Sequence, residues 1–190
     1  MNQPIDVTGV EIRTQRLVLR PWREEDLADF YAYARVDGVG QMAGWIPHRS
    51  MEESREILAL FMREKKTFAI EYEGRVVGSL GVECYNEAHY PELNALRGRE
   101  IGYVLAKSHW GMGLMTEAVR AVIRYLFEDV GLDFITVGHF DHNARSRRVI
   151  EKCGFRYMKT TDFETRFGTV ERSMDYILYH PERSDHHADA

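Results

Sequence analysis

The sequence predicts a mixed α/β domain whose elements follow the order βααβββαβαββ. Short runs rich in β-branched and aromatic residues are bounded by turn residues, which is typical of strands. Longer segments place apolar residues three and four positions apart, which is typical of helices that pack on one face. No repeat or linker divides the 190 residues, so we expect one domain over residues 1–180 and a polar, disordered tail over residues 181–190.

The first strand and the first helix are predicted from their periodicity. Residues 13–20 alternate, with Leu17 and Leu19 on one face, and Pro21 ends the run. Residues 24–35 then carry apolar side chains at helical spacing. These apolar positions are Leu27, Phe30, Tyr31 and Ala34.

A second helix and a hairpin follow. Ser50 and Glu53 have the spacing of a capping box, which predicts the start of the helix. Its apolar stripe consists of Ile57, Leu58, Phe61 and Met62. Residues 67–72 and 76–85 are β-rich and are separated by Glu73-Gly74-Arg75, a hairpin signal.

The C-terminal half alternates between strands and helices. A helix is predicted after Gly113 because its apolar residues form an amphipathic stripe that stops near Gly131. The other predicted elements are an exposed loop over 86–98, strands over 100–105 and 134–140, a helix over 144–152 that Gly154 ends, and strands over 155–162 and 170–179.

Composition excludes several classes of protein. With 25 Lys and Arg against 30 Asp and Glu, the net charge is −5, which argues against nucleic-acid binding. No apolar run approaches the ~20 residues of a membrane span, and residues 1–9 lack the apolar core of a signal peptide. Cys84 and Cys153 form no disulfide framework, so we expect a cytoplasmic protein without membrane contact.

The segment over residues 100–118 carries the chemistry. A strand runs into a turn that contains Gly111 and Gly113 and opens onto a helix. The free amides and the positive dipole at a helix N-terminus bind anions such as a pyrophosphate. A phosphate loop of the NTPase type would need Gly-Lys-Ser/Thr here, and a dinucleotide fingerprint would need glycine in place of Thr116, so both are poor matches.

The turn Trp110-Gly111-Met112-Gly113 with Met115-Thr116-Glu117-Ala118 resembles the acetyl-CoA pyrophosphate loop of the GNAT acetyltransferases, and within them the RimJ/RimL branch. This resemblance implies the GNAT fold, with a central, mostly antiparallel twisted sheet flanked by helices. It spans about residues 10–180. Three further stretches agree with it, namely residues 14–21, residues 68–70 with 78–81, and residues 143–146 with 151–155.

The resemblance also implies where acetyl-CoA binds as co-substrate. The pyrophosphate would lie on the backbone amides of the turn, which comprises His109, Trp110, Gly111, Met112, Gly113 and Leu114. The pantetheine would pair with the strand that contains Tyr103, Val104 and Leu105, and an N–H near Val104 or Leu105 would polarise the thioester carbonyl. Asn143 would contact the pantetheine or the substrate, and it is equally a candidate helix N-cap.

Two positions depart from the family pattern. Ser108 stands where the loop usually begins with Gln or Arg, which matters little because backbone amides bind the phosphates. Ile150 stands where many members place a tyrosine that protonates the departing thiolate. Ser146 matches the serine that the RimL-like branch uses instead, so we treat it as the candidate thiolate-stabilising group; the alternative is a serine on the helix surface.

An ammonium acceptor must lose a proton before it can attack a thioester. Glu100 is the first candidate for this base, acting through water, and the alternative is an ordinary carboxylate at the edge of a strand. Other candidates are Glu83, Asp141, His139 and Tyr103. His139 and His142 lack an evident third ligand, so we predict no metal site.

The predicted activity is acetyl-CoA-dependent N-acetylation of a primary amine, either a protein N-terminal α-amine or a small molecule. The alternative is a noncatalytic acyl-CoA-binding regulatory module. Aromatic residues that could line an acceptor pocket, or serve ordinary packing, are Trp22, Tyr31, Tyr33, Trp45, His48, Tyr85, His89 and Tyr90. A homodimer through strands at the C-terminal end of the sheet is also plausible.

Overall fold

A computed structural model describes residues 1–182 and builds them around one eight-stranded sheet. Its spatial order is β1-β2-β3-β4-β5-β6-β8-β7. Apart from Pro181 and Glu182, the predicted tail lies outside the described residues. The strands are β1 (Ile12–Arg13), β2 (Leu17–Pro21), β3 (Thr67–Tyr72), β4 (Arg75–Glu83), β5 (Gly98–Leu105), β6 (Phe134–Phe140), β7 (Arg156–Glu164) and β8 (Val170–Tyr179).

The sheet is antiparallel except where β5 and β6 run parallel, which confirms the predicted arrangement. The parallel ladder joins Gly98–Ile101 of β5 to residues 134–137 of β6 and then stops. Beyond Ile101, β5 stays paired with β4 to Leu105, while β6 stays paired with β8 to Phe140. The two strands therefore diverge in the middle of the sheet.

Helices cover both faces of the sheet. They are α1 (Leu27–Ala34), α2 (Met51–Glu64), α3 (Leu114–Glu128) and α4 (Ala144–Lys152). On one face Tyr125 of α3 packs edge-on against Phe68 of β3, with ring centroids 6.0 Å apart. On the other face α1 packs on β4, where a carboxylate oxygen of Asp29 accepts the Val76 N–H at 3.0 Å. Within residues 1–182, no helix is long and apolar enough to span a membrane.

A second, smaller core holds the long connection between β4 and β5 against β6 and β8. It contains Tyr85, Tyr90, Leu93, Phe134 and Ile177. This connection was predicted to be an exposed loop, but Tyr90 and Leu93 are only 3% and 2% exposed. This packing matters for the site because it holds the Tyr90 side chain against β8.

The predicted first strand over residues 13–20 is wrong in one respect, because a turn splits it into β1 and β2. Thr14 closes the turn: its N–H donates to the Leu17 carbonyl and its hydroxyl accepts the Leu17 N–H, both at 2.9 Å. Arg16 points away to Glu117 of α3. The turn therefore depends on a distant carboxylate, and the element order becomes ββααβββαβαββ.

Glu117 connects this turn to the first turn of α3. Its carboxylate accepts the Thr14 hydroxyl at 2.6 Å, the Arg16 N–H at 2.9 Å and the Arg16 Nε–H at 2.7 Å. The same guanidinium donates to the Met112 carbonyl at 2.9 Å. One carboxylate thus ties β2 to the glycine turn.

We expect Glu117→Ala to lower the free energy of unfolding by about 1–3 kcal/mol, since it leaves three donors without their charged acceptor. Urea unfolding measures the change. The matched control is Glu128→Ala at the exposed C-terminal end of the same helix, which should be close to neutral. Equal stabilities for the two variants would contradict the role given to Glu117.

Candidate active site

The divergence of β5 and β6 opens a cavity of about 710 Å³. Its walls come from β5, the turn before α3, α4, β6, β8 and the connection between β4 and β5. Among the predicted site residues, Met112 lies outside the lining; it is 42% exposed. The others line the cavity: Glu100, Tyr103, Val104, Leu105, His109, Trp110, Gly111, Gly113, Leu114, Asn143 and Ser146.

The backbone of β5 presents unpaired groups to this cavity. In an antiparallel ladder, alternate residues point their N–H and C=O groups towards the partner strand. The Ala106 N–H bonds to Val77 of β4, and Val82 directs its N–H away from β5 to Lys66. By this alternation, Val104 bonds to β4, whereas Tyr103 and Leu105 face the cavity. Two N–H groups, those of Val104 and Leu105, were considered for the thioester carbonyl. Of these two, only the Leu105 N–H points into the cavity.

The glycine turn has the backbone geometry that its sequence predicts. Gly111 and Gly113 have φ angles of +81° and +79°, a left-handed conformation that other residues rarely adopt. The first intrahelical donor of α3 is the Glu117 N–H, which bonds to the Gly113 carbonyl. The amides of residues 114–116 therefore have no partner within the helix and lie at the cavity wall. This arrangement suits an anion.

Basic side chains surround the same end of the cavity. Arg145, Arg148 and Lys152 of α4 line it, and we call these three residues the basic end. The Arg145 guanidinium lies over the Trp110 ring, 4.7 Å from its centroid. The Trp110 indole N–H donates to the Leu105 carbonyl at 2.8 Å, and this hydrogen bond fixes the position of the ring. Trp110 thus positions a cation beside the glycine turn.

Tyr103, Asn143 and Ser146 meet on the helix side of the cavity. The Asn143 side chain caps α4 by accepting the Ser146 N–H at 3.2 Å, so one of its two predicted roles is confirmed. The Tyr103 hydroxyl lies 2.9 Å from the Ser146 hydroxyl. Burial raises the pKa of Tyr103, and the hydrogen bond to Ser146 only partly opposes this. Tyr103 therefore stays protonated at neutral pH and can donate a hydrogen bond to the Ser146 hydroxyl.

Glu100 lies on the opposite face of β5, at the other end of the cavity. Burial raises the pKa of Glu100 to about 7, and the negative charges of Asp175 and Glu83 add to the effect. A carboxylate that titrates near neutral pH can accept a proton from an ammonium and release it again. The geometry thus keeps Glu100 as a candidate base.

Asp175 is a site residue that sequence reasoning missed. Its carboxylate accepts hydrogen bonds from the hydroxyls of Tyr90 at 2.6 Å, Thr161 at 2.8 Å and Ser173 at 2.7 Å. All four side chains line the cavity. The only signal in the sequence was polar residues at alternate positions, 171, 173 and 175, of the last predicted strand. We call Glu100 and Asp175 together the acidic end.

Among the other candidates for the base, Glu83 and Asp141 fit less well. Glu83 is ion-paired with Lys66 at 2.6 Å, and Asp141 is absent from the cavity lining. His139 is buried but lines the cavity. Its Nδ1–H donates to the Phe140 carbonyl at 2.7 Å and, within residues 1–182, its Nε2 has no hydrogen-bond partner, so His139 stays a candidate base. Burial raises the pKa of Cys153 to about 11, so it holds no thiolate for covalent catalysis.

The predicted aromatic acceptor pocket is only partly formed. Among its eight candidates, His89 and Tyr90 line the cavity. Trp22, Tyr33 and Tyr85 are each 5% exposed or less and belong to the hydrophobic cores, so ordinary packing explains them.

Comparison with known proteins gives a family match over residues 16–156, to the family model described as acetyltransferase (GNAT) domain. The uncharacterized N-acetyltransferase YoaA of Bacillus subtilis (strain 168) is 28% identical over 152 residues, which cover 76% of this chain and 82% of the relative. The ribosomal protein uS5 alanine N-acetyltransferase of Escherichia coli (strain K12) is 26% identical over 170 residues, or 79% and 80% of the two chains.

Solved structures agree on the fold. A GNAT-family acetyltransferase from Bacillus anthracis superposes with a TM-score of 0.77 at 22% identity, covering 90% of this chain and 98% of that one. At this identity the likeness concerns architecture alone.

The raised pKa of Glu100 makes a prediction about stability. The carboxyl titrates at 4.5 when unperturbed and at about 7 in the folded protein, so folding favours its protonated form. The contribution of Glu100 to stability therefore falls as the pH rises from about 4.5 to about 7. We expect Glu100→Gln to stabilise the protein by about 1–3 kcal/mol near pH 8 and to have little effect near pH 4.

Urea unfolding at the two pH values measures this difference. Glu92→Gln, at an exposed carboxylate, is the control and should show no pH-dependent gain. If Glu100→Gln is no more stable than wild type near pH 8, Glu100 has an ordinary pKa.

Proposed function

This chain belongs to the acetyltransferase (GNAT) family, and we propose that it transfers an acetyl group from acetyl-CoA to a primary amine. Acetyl-CoA is the co-substrate of the family. The observation that carries the proposal is the separation of charge between the two ends of the cavity. An anion-binding turn and three cations lie at one end, two carboxylates lie at the other, and an open strand edge connects them.

In this proposal the cofactor follows the cavity from the basic end. The pyrophosphate binds the amides of residues 109–114, and the basic end neutralises the phosphate groups. The pantetheine lies along the open edge of β5, where Tyr103 offers both backbone groups and Leu105 offers its N–H. The Leu105 carbonyl is already bonded to Trp110, so it is not part of this pairing.

The proposed reaction is direct attack within a ternary complex. Glu100 accepts a proton from the ammonium, directly or through water, and the neutral amine attacks the thioester carbon. Leu105 donates its N–H to the carbonyl oxygen as negative charge develops there. The C–N bond forms and the C–S bond breaks. As the intermediate collapses, the nitrogen loses its second proton, which passes through solvent to the departing thiolate. The Ser146 hydroxyl, hydrogen-bonded to Tyr103, stabilises that thiolate by donating a hydrogen bond to it.

The acceptor is a protein N-terminal α-amine or a small-molecule amine. The likeness to an enzyme named for the alanine of ribosomal protein uS5 supports the first class and the RimJ/RimL branch. Two free cysteines, Cys84 and Cys153, support a reducing compartment, and we propose the cytoplasm. A homodimer stays a prediction.

We expect calorimetric titration to detect binding of acetyl-CoA and not of NAD or ATP. Replacing Gly111 and Gly113 with leucine should weaken acetyl-CoA binding by about tenfold or more, since the side chains block the amides and strain the turn. The control replaces Gly74 and Gly168 with leucine, because these hairpin glycines have φ angles of +76° and +83° but lie outside the cavity. A folded wild type that does not bind acetyl-CoA would refute the proposed function.

Ser146→Ala should lower turnover at least about tenfold, since the thiolate loses its nearest hydroxyl, while acetyl-CoA affinity stays unchanged. The acceptor for this assay is the most active amine from a panel of polyamines, amino sugars and alanyl peptides. Because Tyr103 acts through Ser146, adding Tyr103→Phe should cost little more. Normal turnover in Ser146→Ala would remove Ser146 from the mechanism. Acetyl-CoA binding without turnover of any amine would favour a noncatalytic binding module.

A further inference from the structure

Three polar side chains converge on one face of the sheet at the acidic end. Glu100 of β5 is the register partner of Thr136 on β6, and Gly138 on β6 is the partner of Asp175 on β8. Since side chains two residues apart share a face, Thr136 and Gly138 lie on the same side of β6. Glu100, Thr136 and Asp175 therefore surround the position of Gly138.

Gly138 leaves a space beside Asp175. A Cβ at this position would lie 2.8 Å from the Ser173 hydroxyl oxygen and 3.1 Å from Oδ1 of Asp175. Any side chain would therefore displace that carboxylate oxygen or occupy the space in front of it. Gly138 is exposed within an otherwise buried stretch of β6, because this space belongs to the cavity.

The oxygen that faces this space still has room for a donor. Oδ2 of Asp175 accepts from Tyr90 and Thr161, whereas among the described residues only Ser173 donates to Oδ1. A carboxylate oxygen can accept two hydrogen bonds, so one acceptor position on Oδ1 is unused by these hydroxyls.

Thr136 gives an independent sign of a missing partner. Its side chain is 3% exposed, it lines the cavity, and its Oγ1 has no hydrogen-bond partner within residues 1–182. A buried hydroxyl without a partner costs free energy, and such groups are rare in folded proteins. A ligand with more than one N–H donor would satisfy both Oγ1 and Oδ1.

The charges around the space select a cation. Within residues 1–182, neither Glu100 nor Asp175 forms an ion pair. Lys159 is the register partner of Asp175 on β7, yet its ammonium lies 4.0 Å from the centre of the Tyr90 ring and donates to the His89 carbonyl. The nearby Glu83, by contrast, has a positive partner in Lys66. The two carboxylates are thus left without a positive partner.

We propose that Glu100, Thr136 and Asp175 form a subsite over Gly138 that binds the acceptor as a primary alkylammonium ion. This inference rests on the proposed function and names the residues that bind its acceptor. Asp175 and Thr136 each accept one N–H of the ammonium, and the third proton passes to Glu100, which leaves a neutral amine. An alcohol lacks the charge for this subsite, and a tertiary amine lacks the N–H groups.

The subsite can be tested without knowing the acceptor, by following the Glu100 carboxyl with carbon-13 NMR across a pH titration. The signal is assigned by its loss in Glu100→Gln. The probe is ethylammonium chloride, and tetraethylammonium chloride at equal ionic strength is the matched control, since it has the same charge but no N–H. We expect ethylammonium, and not tetraethylammonium, to lower the Glu100 midpoint by up to about one pH unit.

Two variants separate this subsite from a general salt effect. Asp175→Asn keeps the shape but removes one charge, so it should lower the midpoint by itself and abolish the ethylammonium response. Gly138→Ala fills the space and should abolish the response. If Gly138→Ala does not fold, Thr136→Val serves in its place, since it removes only the hydroxyl and should reduce the response.

The outcomes are decisive in both directions. Equal shifts from the two ammonium salts, or a wild-type response in Asp175→Asn, would overturn the subsite. Failure to bind acetyl-CoA while the ethylammonium response persists would overturn the proposed function and leave a cation site. Acetyl-CoA binding without an ethylammonium response would leave the proposed function and overturn the subsite.

Discussion

The site depends on the short parallel pairing of β5 and β6. Their ladder ends at Ile101 and Val137, although each strand continues beside its other neighbour. Backbone groups inside a sheet are normally all paired. Here the divergence of the two strands leaves backbone groups of Tyr103 and Leu105 without a partner strand. It also opens the cavity between these two residues and β6. A longer ladder would close the cavity, and the glycine turn and α4 would then face packed protein.

Charge is distributed along this cavity at a cost to stability. The basic end lies beside the N-terminus of α3, and the positive helix dipole there favours phosphate groups. At the acidic end, Glu100 is kept near Asp175, so its ionised form is disfavoured in the folded protein. A sequence optimised for stability alone would replace Glu100. In the proposed reaction, its presence is explained by a proton that Glu100 accepts and releases near neutral pH.

The parts that sequence could predict are those whose signal is local. The glycine turn and the amphipathic α3 lie within one continuous segment, and the match of residues 143–146 to a known pattern located the α4 cap. Asp175 and Thr136 could not be assigned, because their meeting depends on β6 pairing with β8 in the sheet. The break in the first strand was missed for the same reason, since Glu117 lies about a hundred residues away.

The hydrogen bond from the Trp110 indole to the Leu105 carbonyl has a consequence for solubility. A strand with free backbone groups on one side can recruit a foreign strand and start aggregation. The open stretch of β5 extends only over residues 102–105, and Trp110 occupies its last carbonyl. The remaining groups are too few, and too deep between β6 and α4, to accept a second polypeptide. The protein thus keeps an interior strand edge for a thin ligand while denying it to another chain.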